Sequence, residues 1–271
     1  MNGEHNLPLL MTASVSTRGM KGACFSDVER EKMYVEALRF YLETLPKDQP
    51  IVFAENSGWD LAEFARRVGE GAERVEFIAL DPAGFDVSRG KGYNEILLMN
   101  AAIEKSEQIK RTGAFMKVTG RYPIYNLMRY LKEAEAFLGN GGKYYGDMKD
   151  HRVFDFLFPN STDKWNGHAA YTVLFATTVD FYREKLAESY KDCNDYTLQW
   201  IEVVWHRILC PYRKMKGSGV KLRLPIEPIC GGMQGSSVET IAFSQSNESF
   251  KAKVARFVGN FIRVFMPWFW F

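Results

Sequence analysis

Four short, almost wholly apolar runs constrain this chain more than any other feature: residues 7–15, 50–54, 75–80 and 114–119. Each has strand length, and each is followed by a stretch whose apolar residues recur with helical period. After the first run, Ser26-Asp27-Val28-Glu29 has the form of a capping box, and Tyr34, Leu38, Tyr41 and Leu42 give the helix it opens an apolar face. The second run stops at the turn cluster Glu55-Asn56-Ser57-Gly58, and another helix starts at Asp60. Residues 94–110 and 125–138 are also helical by period. Buried strands alternating with helices predict an α/β fold, a mostly parallel sheet covered on both faces. The second half is less regular, with 153–158 read as a strand, 181–190 and 196–209 as helices, and 231–237 as a loop.

In such sheets ligands bind beyond the carboxyl ends of the strands. That rule selects the residues after Val15 together with 55–58, 81–92 and 119–122. The 271 residues carry 35 Lys and Arg against 33 Asp and Glu, a formal net charge of +2. No bulk basic field argues for nucleic acid, so an anionic ligand must be held by local cations.

Several chemistries lack their signatures. There is no G-x-x-x-x-G-K-[ST], no H-E-x-x-H and no G-x-S-x-G, and Gly90-Lys91-Gly92 lacks the third glycine of a dinucleotide fingerprint. Cys24, Cys193, Cys210 and Cys230 form no C-x-x-C pair, so reduced thiols are expected rather than disulfides or structural zinc. His5, His151, His168 and His206 show no metal-ligand spacing. A D-x-D pair is also missing; the nearest features are Asp147 with Asp150 and Asp192 with Asp195. No metal site is therefore expected, although a divalent ion remains compatible with the D-x-x-D pairs. The first residues lack the pattern of a signal peptide, and a cytosolic chain is expected.

Two strand-end loops carry the chemistry. Ser88-Arg89-Gly90-Lys91-Gly92-Tyr93-Asn94-Glu95 puts two cations on a glycine-flanked loop that leads into a helix. There, backbone N–H groups and the helix dipole favour an anion. Lys117-Val118-Thr119-Gly120-Arg121-Tyr122 follows a buried strand, and Arg121 offers a planar fork suited to phosphate. A diphosphate matches both. Ser14, Glu55, Asn56 and Ser57, at the ends of the first two strands, are the other candidate contacts.

The run Val52-Phe53-Ala54-Glu55-Asn56-Ser57-Gly58, then Arg89 to Glu95 and Lys117 to Tyr122, resembles bacterial glycosyltransferases of surface-polysaccharide biosynthesis. The resemblance covers roughly the first half of the chain. Gly90-Lys91-Gly92 is similar to the step that precedes a helix in GT-A nucleotide-sugar transferases, a Rossmann-like fold. Where that fold places D-x-D, this chain has Thr119-Gly120-Arg121. The resemblance implies a nucleotide-sugar donor as co-substrate and transfer to a glycan or lipid-linked acceptor. Arg121 would stabilise the departing diphosphate, helped by Arg89, Lys91 and Lys117, in place of a metal. A general base would come from the second half, with Asp150 and Glu202 as candidates. Glu202 sits in an apolar setting that would raise its pKa.

Residues 250–271 contain Lys251, Lys253, Arg256 and Arg263 and no acid. Val254, Phe257, Val258, Phe261, Ile262 and Phe265 fall on one helical face, with Lys253, Arg256, Asn260 and Arg263 on the other. Pro267 then breaks the helix before Trp268-Phe269-Trp270-Phe271. Such a C-terminal amphipathic helix fits a bilayer interface and is too short and charged to span one. The expected organisation is a catalytic domain over 1–250 and a membrane-associating tail over 251–271. Within the domain, about 1–130 binds nucleotide-sugar and 131–250 binds acceptor. The expected location is the inner face of the cell membrane. Competing readings are a nucleotidyltransferase, with Ser16-Thr17-Arg18-Gly19-Met20-Lys21-Gly22 as its loop, and a non-catalytic membrane module.

Overall fold

The computed structural model describes residues 6–20, 23–150, 156, 167–232 and 250–265. Its strands are β1 (Leu9–Ala13), β2 (Ile51–Glu55), β3 (Val75–Ala79), β4 (Ala114–Thr119), β5 (Tyr144–Tyr145), β6 (Met148–Asp150), β7 (His168–Ala170), β8 (Leu174–Thr178) and β9 (Val220–Lys221). Its helices are α1 (Asp27–Thr44), α2 (Leu61–Val68), α3 (Lys91–Lys105), α4 (Glu107–Thr112), α5 (Leu127–Gly139), α6 (Val179–Lys185), α7 (Ile201–Leu209) and α8 (Phe250–Phe265).

The central sheet runs β3-β2-β1-β4-β8-β5-β9. The first four strands are parallel, with Leu9 paired to both Ile51 and Met116. β8 is antiparallel to β4 and β5, and β9 is parallel to β5. This is the mostly parallel sheet flanked by helices that the alternating runs predict. β6 and β7 form a separate antiparallel pair.

Side-chain alternation sorts the core into two layers. Leu9, Met11, Ile51, Phe53, Met116 and Val118 pack with α1, α2 and α5 on one face. Leu10, Val52, Ala54, Phe115 and Phe175 pack with α3, α6 and α7 on the other. The helix starts follow their local signals. Ser26 accepts from the Glu29 N–H at 3.3 Å while Glu29 accepts from the Ser26 N–H at 2.8 Å, which closes the capping box. Asp60 caps α2 by accepting from Ala62 and Glu63 N–H groups at 3.0 Å.

Three elements differ from the sequence-based expectation. The helix expected over 94–110 breaks at Ser106, whose hydroxyl caps α4 through the Ile109 N–H and donates to Glu76 on β3 at 2.6 Å. The helix expected over 181–190 is α6 followed by a 3₁₀ turn at Ala187–Asp192. The one expected over 196–209 starts only at Ile201, because Asn194 and Gln199 pair as an isolated bridge. The strand expected at 153–158 lies outside the described residues except for Phe156, and most of the 231–237 loop lies outside them too.

The C-terminal helix is present and docks by its polar side. Arg263 donates to both oxygens of Asp147, at 3.0 and 2.8 Å, and to the Leu224 carbonyl at 3.2 Å. Asn260 accepts from the Glu227 N–H at 2.9 Å. The opposite face, with Phe257, Phe261, Val264 and Phe265, is exposed. No helix among the described residues is long and apolar enough to cross a membrane.

Candidate active site

A cleft opens at the carboxyl ends of β1 and β4. It is lined by Thr12 to Ser14, Thr17 and Met20 from β1 and the loop after it, by Arg30 and Tyr34 of α1, and by Phe85. Lys91, Asn94, Glu95 and Leu98 of α3 and the β4-end residues Thr119 and Arg121 complete the wall.

Three cations share this cleft. Arg121 donates to the Tyr122 hydroxyl at 2.9 Å and lies 4.8 Å from that ring's centre. Its Nε is buried and has no hydrogen-bond partner among the described residues. The loop that carries it is fixed from behind by Tyr41, whose hydroxyl donates to the Tyr122 carbonyl and accepts from the Ile124 N–H. Gly120 lets β4 approach β1: its N–H reaches the Thr12 carbonyl at 3.0 Å, and a Cβ there would meet that oxygen at 2.7 Å. Arg30 donates to the carbonyls of Ser14 and Val15, holding the end of β1. Burial, then the charges of Arg121 and Arg30, push the Lys91 pKa below the usual lysine value. Lys91 therefore gains from an anion more than an exposed lysine would.

The glycine-flanked turn is built differently from its expected use. Gly90 has φ +88°, and a Cβ on it would lie 2.5 Å from the Asp195 side chain, so both conformation and space require glycine. Asp195 accepts from the Lys91 N–H at 2.6 Å, so the chain's own carboxylate occupies the start of α3. Arg89 points out of the cleft: it stacks on Tyr93 and donates to the Cys193 and Lys191 carbonyls. Of this turn's two cations, Lys91 alone lines the cleft.

Lys117 alternates with Met116 and Val118 and is directed to the α3 face, fully buried. Its ammonium meets Glu95 at 2.6 Å, the Thr172 carbonyl at 2.7 Å and the Thr119 hydroxyl at 3.1 Å. These contacts leave it positioning Glu95 rather than facing the cleft. Glu95 also accepts from the Thr12 hydroxyl at 3.0 Å. Glu202 lies behind this pair and accepts from the Thr172 hydroxyl at 3.1 Å. Burial raises its pKa, and the Glu95 and Asp195 charges raise it further.

Glu55, Asn56 and Ser57 form a second layer. The Glu55 carboxylate is fully buried and accepts from the N–H groups of Val15, Ser57, Gly58 and Trp59. Asn56 accepts from the Ser14 hydroxyl at 2.6 Å and donates to the Asn94 carbonyl at 3.3 Å. These groups hold the ends of β1 and α3 in register, and of this set Ser14 lines the cleft. Asp150 lies elsewhere, at the end of β6, against His168, His206 and Arg213.

The GT-A resemblance would bring a divalent ion to the end of β4. Thr119, Gly120 and Arg121 offer it no carboxylate, Glu95 is already bound to Lys117, and three cations line the same cleft. That donor set does not fit a divalent ion at that position.

Sequence reasoning missed Arg30 and Tyr34, and it saw Asp195 only in a D-x-x-D pair with Asp192, not at the start of α3. The first two had a signal: Arg30 precedes Tyr34 and Leu38 by four and eight residues, a charge in the apolar stripe of α1. The Asp195 contact had none, since it reaches α3 across about a hundred residues of chain.

No protein-family model and no curated protein matches the chain. Among solved structures it is similar to the bifunctional glycosyltransferase WbbM, at 12% identity and TM-score 0.44 over 83% of this chain and 40% of that one. An active-site mutant of LgtC gives 13% and 0.45 over 80% and 72%. The mannosyltransferase Ktr4p from S. cerevisiae, in complex with GDP, gives 13% and 0.39 over 76% and 66%. The chain thus spans less than half of WbbM. At these scores the functional reading rests on the cleft's own residues.

Proposed function

We propose that the chain is a glycosyltransferase that moves a sugar from a nucleotide-sugar donor to a glycan or lipid-linked acceptor of bacterial surface-polysaccharide biosynthesis. One observation carries this reading: Arg30, Lys91 and Arg121 converge on a single cleft at the carboxyl ends of β1 and β4, where the Arg121 Nε is buried without a partner among the described residues. Cations fixed in such a cleft stabilise the charge that grows on a departing diphosphate, and they do so without reorganising. We assign the general base to Glu202, which accepts from Thr172 next to the Lys117–Glu95 pair at the cleft wall and would have to reach the acceptor past that pair. Asp150 is less suited, because His168, His206 and Arg213 surround its oxygens.

The test is release of free nucleoside diphosphate from a panel of nucleotide-sugars, with chelator and with divalent ions. The reading predicts release in chelator that falls about a hundredfold or more in Arg121→Ala. No release from any donor, or full release by Arg121→Ala, would contradict it. Glu202→Gln at the wild-type rate would remove Glu202 as the base.

The reading extends to a location at the inner face of the cell membrane. Docking of α8 through Arg263 and Asn260 leaves Phe257, Phe261 and Phe265 outward, and the sequence adds Lys251, Lys253 and Arg256. An outward apolar face suits a bilayer interface, where a lipid-linked acceptor would be met. The expected result is sedimentation with anionic vesicles that is lost in Phe257→Glu/Phe261→Glu. Equal sedimentation of both proteins would refute the assignment.

A further inference from the structure

We infer that Asp150, His206 and Cys210, with His168 beside them, form a site for a zinc-type divalent cation, separate from the cleft. The carboxylate, imidazole and thiol donor atoms of the first three lie within 4.8 Å of one another. Asp150 Oδ1 is 3.5 Å from His206 Nε2, and Asp150 Oδ2 is 4.0 Å from Cys210 Sγ. With Zn–O and Zn–N bonds of about 2.0 Å and a Zn–S bond of about 2.3 Å, the edges of a tetrahedral site are about 3.3–3.6 Å. The Oδ1–Nε2 spacing falls within that range, while the thiol, 4.0 Å from Oδ2 and within 4.8 Å of the other donors, lies wider. His168 Nδ1, 3.0 Å from Asp150 Oδ1, pairs with that carboxylate from the neighbouring strand and stands outside the three-donor group.

The fold explains the convergence. His206 and Cys210 are four residues apart, at the end of α7 and the start of the turn after it, so they share a face. Asp150 and His168 are register partners across β6 and β7. An ion here would join the β6–β7 pair to α7. The oxygen, nitrogen and sulfur donor set suits zinc or cobalt better than magnesium or calcium. Arg213, which pairs with Asp150 Oδ2, then acts as an outer partner that orients the carboxylate while Oδ1 meets the ion. Binding displaces the thiol proton of Cys210, so one proton leaves as the Sγ–metal bond forms. No C-x-x-C motif announces such a site, because its donors come from β6 and from the end of α7, far apart in the sequence.

The experiment uses the full chain, reduced and freed of metal with chelator, titrated with Co²⁺ and then Zn²⁺. The expected result is one equivalent of cobalt with the visible bands of a tetrahedral ion and a near-ultraviolet thiolate band, all displaced by zinc. Cys210→Ser should lose the thiolate band while Cys24→Ser keeps it, and His206→Gln should bind at least tenfold more weakly. Zinc should raise the melting temperature of the wild type and leave that of Cys210→Ser unchanged. No cobalt bands, or a thiolate band that survives in Cys210→Ser, would overturn the inference.

Discussion

Lys117 and Glu95 form an ion pair at 2.6 Å that joins the interior of β4 to the second turn of α3, and through it Glu95 is held at the wall of the cleft. The lysine is fully buried, so its charge depends on Glu95 and on the oxygens of Thr172 and Thr119. Removing one partner of a buried pair leaves a charge without compensation. Lys117→Met is expected to lose about 3–5 kcal/mol of stability. Lys117→Met/Glu95→Met should recover part of that loss. Urea unfolding of the single and double variants measures both, and additive losses would show that the pair is not coupled.

Gly90 and Asp195 make a second testable contact. Alanine at Gly90 must hold φ near +88° and place its Cβ 2.5 Å from the Asp195 side chain. Backbone strain of this kind costs about 1–3 kcal/mol. Gly90→Ala should lower thermal stability by at least that amount. Gly90→Ala/Asp195→Gly should lose less than the two single variants combined, because glycine removes the Asp195 Cβ and carboxylate that meet the added Cβ, along with the cap. Melting curves of the set decide this.

Lys91 gives the cleft a pH dependence. Its pKa is lowered by burial and by Arg121 and Arg30, so the charged form is disfavoured in the free folded protein. The unfolded chain therefore binds more protons between the lowered and the ordinary lysine pKa, and this group's contribution to stability rises with pH across that window. A bound diphosphate favours the charged form. Affinity for pyrophosphate should therefore fall as pH rises through the lowered pKa, with proton uptake on binding. Calorimetry in buffers of different ionisation enthalpy reads that uptake, and Lys91→Met should abolish it.

Arg263 and Asp147 hold α8 to the core. Burial raises the Asp147 pKa against the lowering effect of Arg263. Arg263→Met leaves the carboxylate buried without that partner, so the helix should detach while the sheet stays folded. Hydrogen exchange should quicken in 250–265 and remain unchanged in β1, β2 and β4. Unchanged protection of α8 would show that the ion pair does not hold it.

The parts of the fold legible in the sequence are those set by local chemistry. The runs that became β1 to β4, the capping box at Ser26, the cap at Asp60 and the turn at Gly90 all follow from residues within a few positions of one another. The break at Ser106 was legible in principle, since a serine before Glu107 is a cap signal; the continuous apolar period on either side obscured it. What sequence could not supply is which charges meet. Arg89 and Lys91 are two residues apart, yet one is turned onto the Lys191 and Cys193 carbonyls and the other into the cleft. The grouping of Asp150, His168, His206 and Cys210 depends on the β6–β7 register and on where α7 ends. Neither leaves a spacing in the sequence.

Calorimetric titration of a panel of nucleoside diphosphates into the wild type, Lys91→Ala and Arg121→Ala tests the central claim most directly. The account predicts that at least one diphosphate binds the wild type and that each variant binds it about tenfold to a hundredfold more weakly. Equal affinity in all three proteins, with the fold intact, would contradict it.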